Sequence, residues 1–475
     1  MTGFADSAGP LVLALAVGVP WALAAALSLS DGRKRWVGWV AVAGLGATLA
    51  ALARLAVLVV GGDRVEMTAG GWPEEVGITL RADALGATFA LVSVGVIFAS
   101  LLYEVLGGVR SRTFPALVLF MAAGLTGLFL TGDVFNFYVF FEVSMTAAYV
   151  LASYREQDHQ VRAAFIFAVI NLLGSVVFLI GVAALYHVTG SLDMATIAER
   201  IDPVQPNSVI VIAAAIFVAF SLKLGLFPFH FWLPAVYVGS HPPVAAILSG
   251  ALANIGSYGL LRFGGGLLPR ELELGSAAVL VLGTASIIYG AVQAISRRDT
   301  SEVLAYSAIG QAGYILVALG VGGPVGYAAA VLYAVVNSLN KGLLFLAAGL
   351  RGPLVGAAFA VGAFSVAGVP PAAGFLGKVA LFESSLAAGT VPASVALVVL
   401  IFLGSALSFV YSFQIYQRRF WAPKPDDLGD RGKPSPVAPR VLVVLLAALA
   451  LGVGLWPEPL LSLSEAAADV LAGGP

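Results

Sequence analysis

Several ionisable side chains sit inside stretches otherwise apolar enough to cross a bilayer, four of them in motifs that could do chemistry. These four are Glu142 in TGDVFNFYVFFEVSMTAAYVL, Lys223 in AFSLKLGLFPFHFWLPAVYVGSHPP, Lys341 in VVNSLNKGLLFLAAGL and Lys378 in FSVAGVPPAAGFLGKVALFES. The chain has six lysines against 19 arginines, so half of its lysines lie at depth. A lysine at the bilayer centre costs roughly 2.5–3.5 kcal/mol, and three cost on the order of 10 kcal/mol, comparable to the net stability of many domains. Such groups face a bundle interior or a water-filled path, where they pair with acids or carry protons. Desolvation favours the neutral amine and a nearby carboxylate favours the ammonium, so moving the carboxylate switches the affinity for a proton.

Each site carries a functional and a structural reading. Glu142 follows Asp133 by nine residues, about 13 Å along a regular helix, which puts it near mid-membrane. It either bonds to a neighbouring helix or couples to a buried base. Asp133, at the interface, either starts that helix or joins the path. Lys223 precedes Pro and Gly residues that should interrupt its helix, and interrupted backbone is tolerated at depth only beside protein or water. Its structural alternative is a side chain that snorkels to the interface. His230 and His241 flank this break and either relay protons or satisfy loop carbonyls. Lys378 lies in a second Pro/Gly-interrupted stretch, with Glu383 five residues on as an outlet group or an interfacial acid. Lys341 shares a helix face with Asn337, and its span lies between the two breaks, so it is placed to bridge them. His159 reads as solvated and His187 has no clear role.

The elements that must hold these residues are helices. Of 475 residues, 60% are hydrophobic and 11% charged, far below the charge of a soluble protein. Apolar runs of about 20 residues recur, as helices and not barrel strands require. The 55 glycines allow close helix packing. With no cysteine, disulfides, thiolate metal sites and iron–sulfur clusters are excluded. No His pair is spaced for haem, so no cofactor and no metal are expected. A net charge of −1 offers no basic patch for nucleic acid. Only Asp6 precedes the first apolar run, so that run reads as a retained helix and not a cleaved signal.

Fourteen spans are expected at about 10–29, 36–60, 82–104, 112–131, 134–153, 163–187, 207–238, 241–263, 276–296, 303–321, 326–350, 354–382, 393–417 and 439–456. The seventh and twelfth are too long for simple spans and read as broken helices. The expected fold is an all-α polytopic membrane protein, one transmembrane domain over 1–475. Three helices occupy 1–111, two inverted five-helix repeats occupy 112–263 and 276–420, and a loop and last helix fill 421–475. Loops alternating on one side carry sixteen Lys and Arg against five on the other, with Arg262 among the five. The positive-inside rule then puts both termini outside. Residues 61–81, with Asp63, Glu66, Glu74 and Glu75, read as a long outer segment, 188–206 as a short surface helix, and 418–439 as a flexible connector. No segment is large enough for a nucleotide-binding domain.

The stretches TGDVFNFYVFFE, LKLGLFPFHFWLP followed by PPVAAILSG, NKGLLFLAAG and GVPPAAGFLGK resemble the proton-translocating antiporter-like family. That family includes the large membrane subunits of respiratory complex I and of Mrp-type cation/proton antiporters. The resemblance covers nearly the whole chain. Through GGWPEEVGITLRADALGA and its length, the chain is most similar to the D-type subunits of Mrp antiporters. The resemblance implies fourteen core helices, Glu142 paired with Lys223 in an entry half-channel, and Lys341 and Lys378 carrying the path onward. It also implies a multi-subunit Na+/H+ antiporter in a bacterial plasma membrane, with a redox-driven complex as the alternative and a non-transporting scaffold as a third reading. Two positions depart from the family pattern. Asn254 stands where a lysine is common, and Ser338 where a histidine often precedes the next lysine. An Asn orients water but carries no charge.

Overall fold

The computed structural model describes residues 5–68, 70, 77–387, 390–421 and 436–473. Glu74, Glu75 and most of the 418–439 connector lie outside these residues. Helices α1 (Ala5–Ser28), α2 (Arg35–Val59), α3 (Ala84–Gly107), α4 (Phe114–Phe129), α5 (Val134–Ala152) and α6 (Asp158–Thr189) form the first six spans. The short α7 (Met194–Ile201) fills the expected surface-helix position. The seventh span is split into α8 (Pro206–Leu224) and α9 (Leu233–Gly239). The eighth runs from Pro242 to Leu267 as α10 (Pro242–Ile247) and α11 (Asn254–Gly259) joined by π-helical turns, and the short α12 (Pro269–Leu274) follows. Next come α13 (Ser276–Ser296), α14 (Thr300–Val321) and α15 (Gly323–Ala348). The twelfth span is split into α16 (Pro353–Ala367) and α17 (Ala373–Leu386), followed by α18 (Val391–Tyr416), α19 (Val437–Leu455) and α20 (Glu458–Ala472). Among the described residues twelve of the expected spans hold helices long and apolar enough to cross a membrane, the fourth and twelfth hold the shorter apolar α4 and α16, and the two breaks fall five spans apart.

Both breaks are built alike. A glycine with positive φ ends the first half, Gly225 (φ 72°) after α8 and Gly368 (φ 80°) after α16. That conformation suits a residue with no Cβ. Prolines lacking an N–H follow and prevent the helix from resuming, with cis peptide bonds at Phe227–Pro228 and Pro370–Pro371. Glycine also sets the helix spacing. A Cβ on Gly283 of α13 would lie 2.9 Å from the Gly313 carbonyl of α14, so these helices pack backbone to backbone.

Three features depart from the sequence expectation. The outer segment contains an antiparallel hairpin, β1 (Val65–Thr68) with β2 (Thr79–Ala82), extended by bridges Leu80–Thr131 and Asp133–Asp193. Helix α20 is an extra amphipathic helix whose Ser464, Ala466, Ala467, Ala468 and Leu471 are buried, so it packs on the bundle without crossing it. Arg262 is not a loop residue of the sparse face. It is buried, and its guanidinium donates to both Asp83 carboxylate oxygens at 2.8 and 2.7 Å and to the Tyr258 hydroxyl at 3.0 Å. Asp83 also caps α3 through the Gly86 N–H at 2.8 Å. A buried guanidinium needs such a fixed carboxylate, which the hydropathy of the span does not reveal.

The basic loops gather on one face. The Arg112 carbonyl accepts from Gly32 N–H at 2.8 Å, the Arg110 N–H donates to Tyr154 at 3.1 Å, and Arg418 donates to the Arg297 carbonyl at 3.0 Å. On the opposite face Arg81 pairs with Glu66 at 2.6 Å and approaches Asp193 at 3.8 Å.

Breaking the Asp83–Arg262 pair should be costly. Arg262→Ala leaves a buried carboxylate without its partner, and the purified protein is expected to lose about 3–5 kcal/mol of stability, read as a lowered unfolding midpoint. An unchanged midpoint would mean that the pair does not anchor α3.

Candidate functional site

Glu142 lies on α5 and Lys223 in the last turn of α8, but the two do not form an ion pair within 4.0 Å. Helix α6 bonds to both of them. Its Ser175 hydroxyl donates to Glu142 Oε1, and its Asn171 Oδ1 accepts from Lys223 Nζ at 3.1 Å. Asn171 and Ser175 are four residues apart, so one helix face holds the acid and the base one turn from each other. Lys223 also donates to Met145 Sδ and lies 4.5 Å from the Phe141 ring centroid. The sequence reading missed Asn171 and Ser175. Their signal is a polar pair at helical spacing in an otherwise apolar span. Glu142 is only half-buried, whereas Lys223 is 4% exposed.

Beyond the break, Trp232 Nε1 donates to the Leu222 carbonyl at 3.0 Å, and Gly225 N–H to the same carbonyl at 3.2 Å. The half-helix end beside Lys223 is thereby capped. Trp232, Tyr237 and Ala253 border a small cavity against Lys223, with room for about one water. Next to Ala253, Asn254 Nδ2 donates to Ser93 Oγ at 2.9 Å, and its Oδ1 accepts from Ser338 Oγ at 2.9 Å. The two positions that depart from the family pattern therefore bond to each other.

Ser338 precedes Lys341 by three residues on α15. Lys341 is fully buried, and its Nζ donates to Ser307 Oγ at 2.9 Å and to the Leu304 carbonyl at 3.4 Å. A polar network continues from there. Ser307 shares a hydrogen bond with Tyr411 at 2.9 Å, Gln311 Nε2 donates to Tyr411 at 3.1 Å and to Ser408 at 3.3 Å, and Tyr333 donates to Gln311 Oε1. It ends beside Lys378, whose Nζ lies 3.1 Å from the Tyr314 ring centroid and 5.1 Å from that of Tyr333. Lys378 Nζ is buried with no hydrogen-bond partner among the described residues. A Cβ on Gly368 would lie 2.5 Å from Lys378 Cγ, so the glycine at the break makes room for the lysine stem.

The remaining candidates divide. Asp133 caps α5 through the Asn136 N–H at 2.6 Å, and burial lifts its carboxyl above the ordinary range. It starts the helix, as the structural reading holds, and lies at the sparse face away from the lysines. His230 stacks on Phe227 and packs tilted against Tyr289, which also touches Phe227, in the break. His241 stands at the N-cap position of α10, with no side-chain cap bond, beside Glu104, an acid absent from the sequence reading. Asn337 and Asn340 carry buried amide oxygens with no hydrogen-bond partner among the described residues. Glu383 borders a groove with Glu465 and Asp469 of α20. Among the described residues, no group of His, Cys, Asp and Glu could hold a metal ion.

The family model described as "NADH:quinone oxidoreductase/Mrp antiporter, TM" matches residues 131–404. The D-type Na(+)/H(+) antiporter subunit of Alkalihalophilus pseudofirmus is 31% identical over 425 residues, spanning 84% of this chain and 85% of that protein. The N-type NADH-quinone oxidoreductase subunit of Desulforudis audaxviator is 32% identical over 467 residues, spanning 90% and 91%. A chain in the structure of the Mrp complex from Dietzia sp. DQ12-45-1b superposes with a TM-score of 0.87 at 28% identity, covering 99% of this chain and 98% of that one.

The lysines should weigh on stability. Lys378→Met keeps the length of the side chain and removes a buried ammonium that has no hydrogen bond, so the unfolding midpoint is expected to rise by the equivalent of about 1–3 kcal/mol. Lys341→Met gives up two hydrogen bonds and should gain less. A fall in midpoint for Lys378→Met would show that its ammonium stabilises the fold.

Proposed function

Because the chain belongs to the NADH:quinone oxidoreductase/Mrp antiporter transmembrane family, we propose that it is the proton-conducting subunit of a multi-subunit Na+/H+ antiporter in a bacterial plasma membrane. The observation that supports this reading is the series of buried polar groups that includes Lys223 beside its small cavity, the Asn254–Ser338 bond, Lys341 bonded to Ser307, and Lys378 against Tyr314 and Tyr333. It is a transporter subunit, and no bond-making step falls to it. Both termini are outside, by the loop charge. The half-buried Glu142 on a membrane-spanning helix fits contact with a neighbouring subunit.

The path works by charge coupling. A proton or cation arriving at Glu142 weakens the attraction that holds the Lys223 proton. At an effective dielectric of about 20 a charge pair at 4 Å is worth roughly 4 kcal/mol, so even a pair one helical turn apart biases the lysine strongly. Asn171 and Ser175 set that separation and move with α6. Lys223 passes its proton through the small cavity towards Asn254 and Ser338. These bear no charge at neutral pH, so the middle of the path orients water and holds no proton of its own. Lys341 receives the proton, and the network through Ser307, Tyr411, Gln311 and Tyr333 couples it to Lys378. An amide sits in that network, and a neutral amide does not exchange protons as a hydroxyl does. Gln311 therefore fixes hydrogen-bond polarity, and water carries the proton past it.

The second reading, a proton-pumping subunit of a redox-driven complex, draws on the comparable identity to the Desulforudis protein. The relay would be the same and the driving force different. In proteoliposomes holding the assembled complex, a Na+ gradient alone is expected to drive proton movement with no electron donor. Lys223→Ala and Lys378→Ala should each lower the rate by about a hundredfold or more. Wild-type pH-gradient responses in both variants would refute the relay, and dependence on an electron donor would favour the redox reading.

A further inference from the structure

Helix α3 carries polar groups that the relay above does not use. Ser93, Ser100 and Glu104 are spaced by seven and four residues, which keeps them on one helix face. Ser93 and Ser100 are 0% exposed and Glu104 is 4% exposed. The stripe runs through the membrane from the basic face towards its middle. At its inner end Ser93 bonds to Asn254, and Asn254 to Ser338, one turn before Lys341. Midway, the Ser100 hydroxyl is buried with no hydrogen-bond partner among the described residues.

At the basic face the stripe ends in a compact site. The Tyr154 hydroxyl donates to Glu104 Oε1 at 2.6 Å and itself accepts from the Arg110 N–H at 3.1 Å. His241 Nδ1 lies 3.6 Å from Glu104 Oε2 and makes no hydrogen bond among the described residues. The side chain of His241 is 15% exposed, so the site reaches the surface. Pro242, the next residue, and the Tyr103 hydroxyl both close on Gly349 at the end of α15. Gly349 follows Lys341 by eight residues, about 12 Å along the helix.

We propose that Glu104, with His241 and Tyr154, is a proton-loading site on the basic face, and that the α3 stripe delivers its proton to Lys341. The proposal rests on the antiport reading. A proton from bulk water bonds to the Glu104 carboxylate. On delivery that O–H bond breaks, the proton shifts through water and the serine hydroxyls, and an N–H bond forms on neutral Lys341. Glu104 is left as a carboxylate and Lys341 as an ammonium. The groups facing the site are Tyr103 on α3, Tyr154 and Arg155 after α5, Arg110 after α3, His241 before α10, and Arg419 beside Tyr103. His241 lies just outside its span. Burial, and after it Arg155 and Arg110, push the imidazole down to about 3, so it is neutral at working pH. A neutral imidazole 3.6 Å from the acid does not compete for its proton.

The test uses the assembled complex in proteoliposomes, with antiport rates measured at pH 7 and pH 9. Glu104→Gln keeps the size of the side chain and an acceptor for Tyr154. Loss of a loading group matters most where protons are scarce, so its rate is expected to fall about tenfold or more at pH 9 and less than about twofold at pH 7. Ser100→Val blocks the stripe away from the site and should give the same pH-selective loss. Infrared difference spectra between the two pH values should show a protonated-carboxyl band that Glu104→Gln removes. Equal losses at both pH values, or wild-type rates in both variants while Lys223→Ala is inactive, would overturn the loading site. An active Lys223→Ala would instead overturn the Lys223 relay, and dependence of the rate on an electron donor would overturn the antiport reading.

Discussion

An ammonium group in a low-dielectric interior must be solvated by the protein, by water or by a counter-charge, and here no carboxylate among the described residues touches any of the three buried lysines. The protein solvates each differently. Lys223 has an amide oxygen, a thioether and an aromatic face. Lys341 has a hydroxyl and a carbonyl. Lys378 has aromatic faces alone, and such contacts are worth about 2 kcal/mol or more when desolvated. That falls short of full hydration, so each ammonium depends on water or a neighbouring charge for the rest of its solvation. A relay needs such a dependence, because a modest change in a neighbouring charge then bears on whether the lysine holds its proton.

Much of the fold follows from placing these groups. The two broken spans end their first halves at glycines and prolines, and the end of α8 is capped beside Lys223 by Trp232 and by local N–H groups. Gly368 admits the stem of Lys378. The breaks are alike but their lysines are not. Lys223 precedes its break, while Lys378 follows, on α17. Arg262, by contrast, is fixed. Two carboxylate oxygens and a phenol bind it, so it joins spans at the sparse face and carries nothing.

The spans were legible because each needs about 20 apolar residues, and the breaks because Gly and Pro punctuate them. The buried lysines stood out for their cost. Partners were harder to read. The expected Glu142–Lys223 contact is mediated by Asn171 and Ser175, small polar residues whose direction depends on how α6 packs. Glu104 was missed because it lies at the end of its span, where an acid is ordinary. Only the tertiary fold brings His241 and Tyr154 to it from distant positions. Helix α20 was missed because Glu458, Glu465 and Asp469 make it too polar to span. The hairpin was missed because its strands have only four residues each.

Asn254 and Ser338 bring the account to its most exposed point. In place of a charge at mid-path they form a neutral bridge from α3 to α15. Water must then connect Lys223 to Lys341, and Lys341 to Lys378. A density map of the assembled complex, at a resolution that shows ordered water, tests this most directly. The account predicts water in the cavity between Lys223 and Ala253 and at least one water on Lys378 Nζ. Dry, side-chain-filled packing at both places would contradict a single hydrated path.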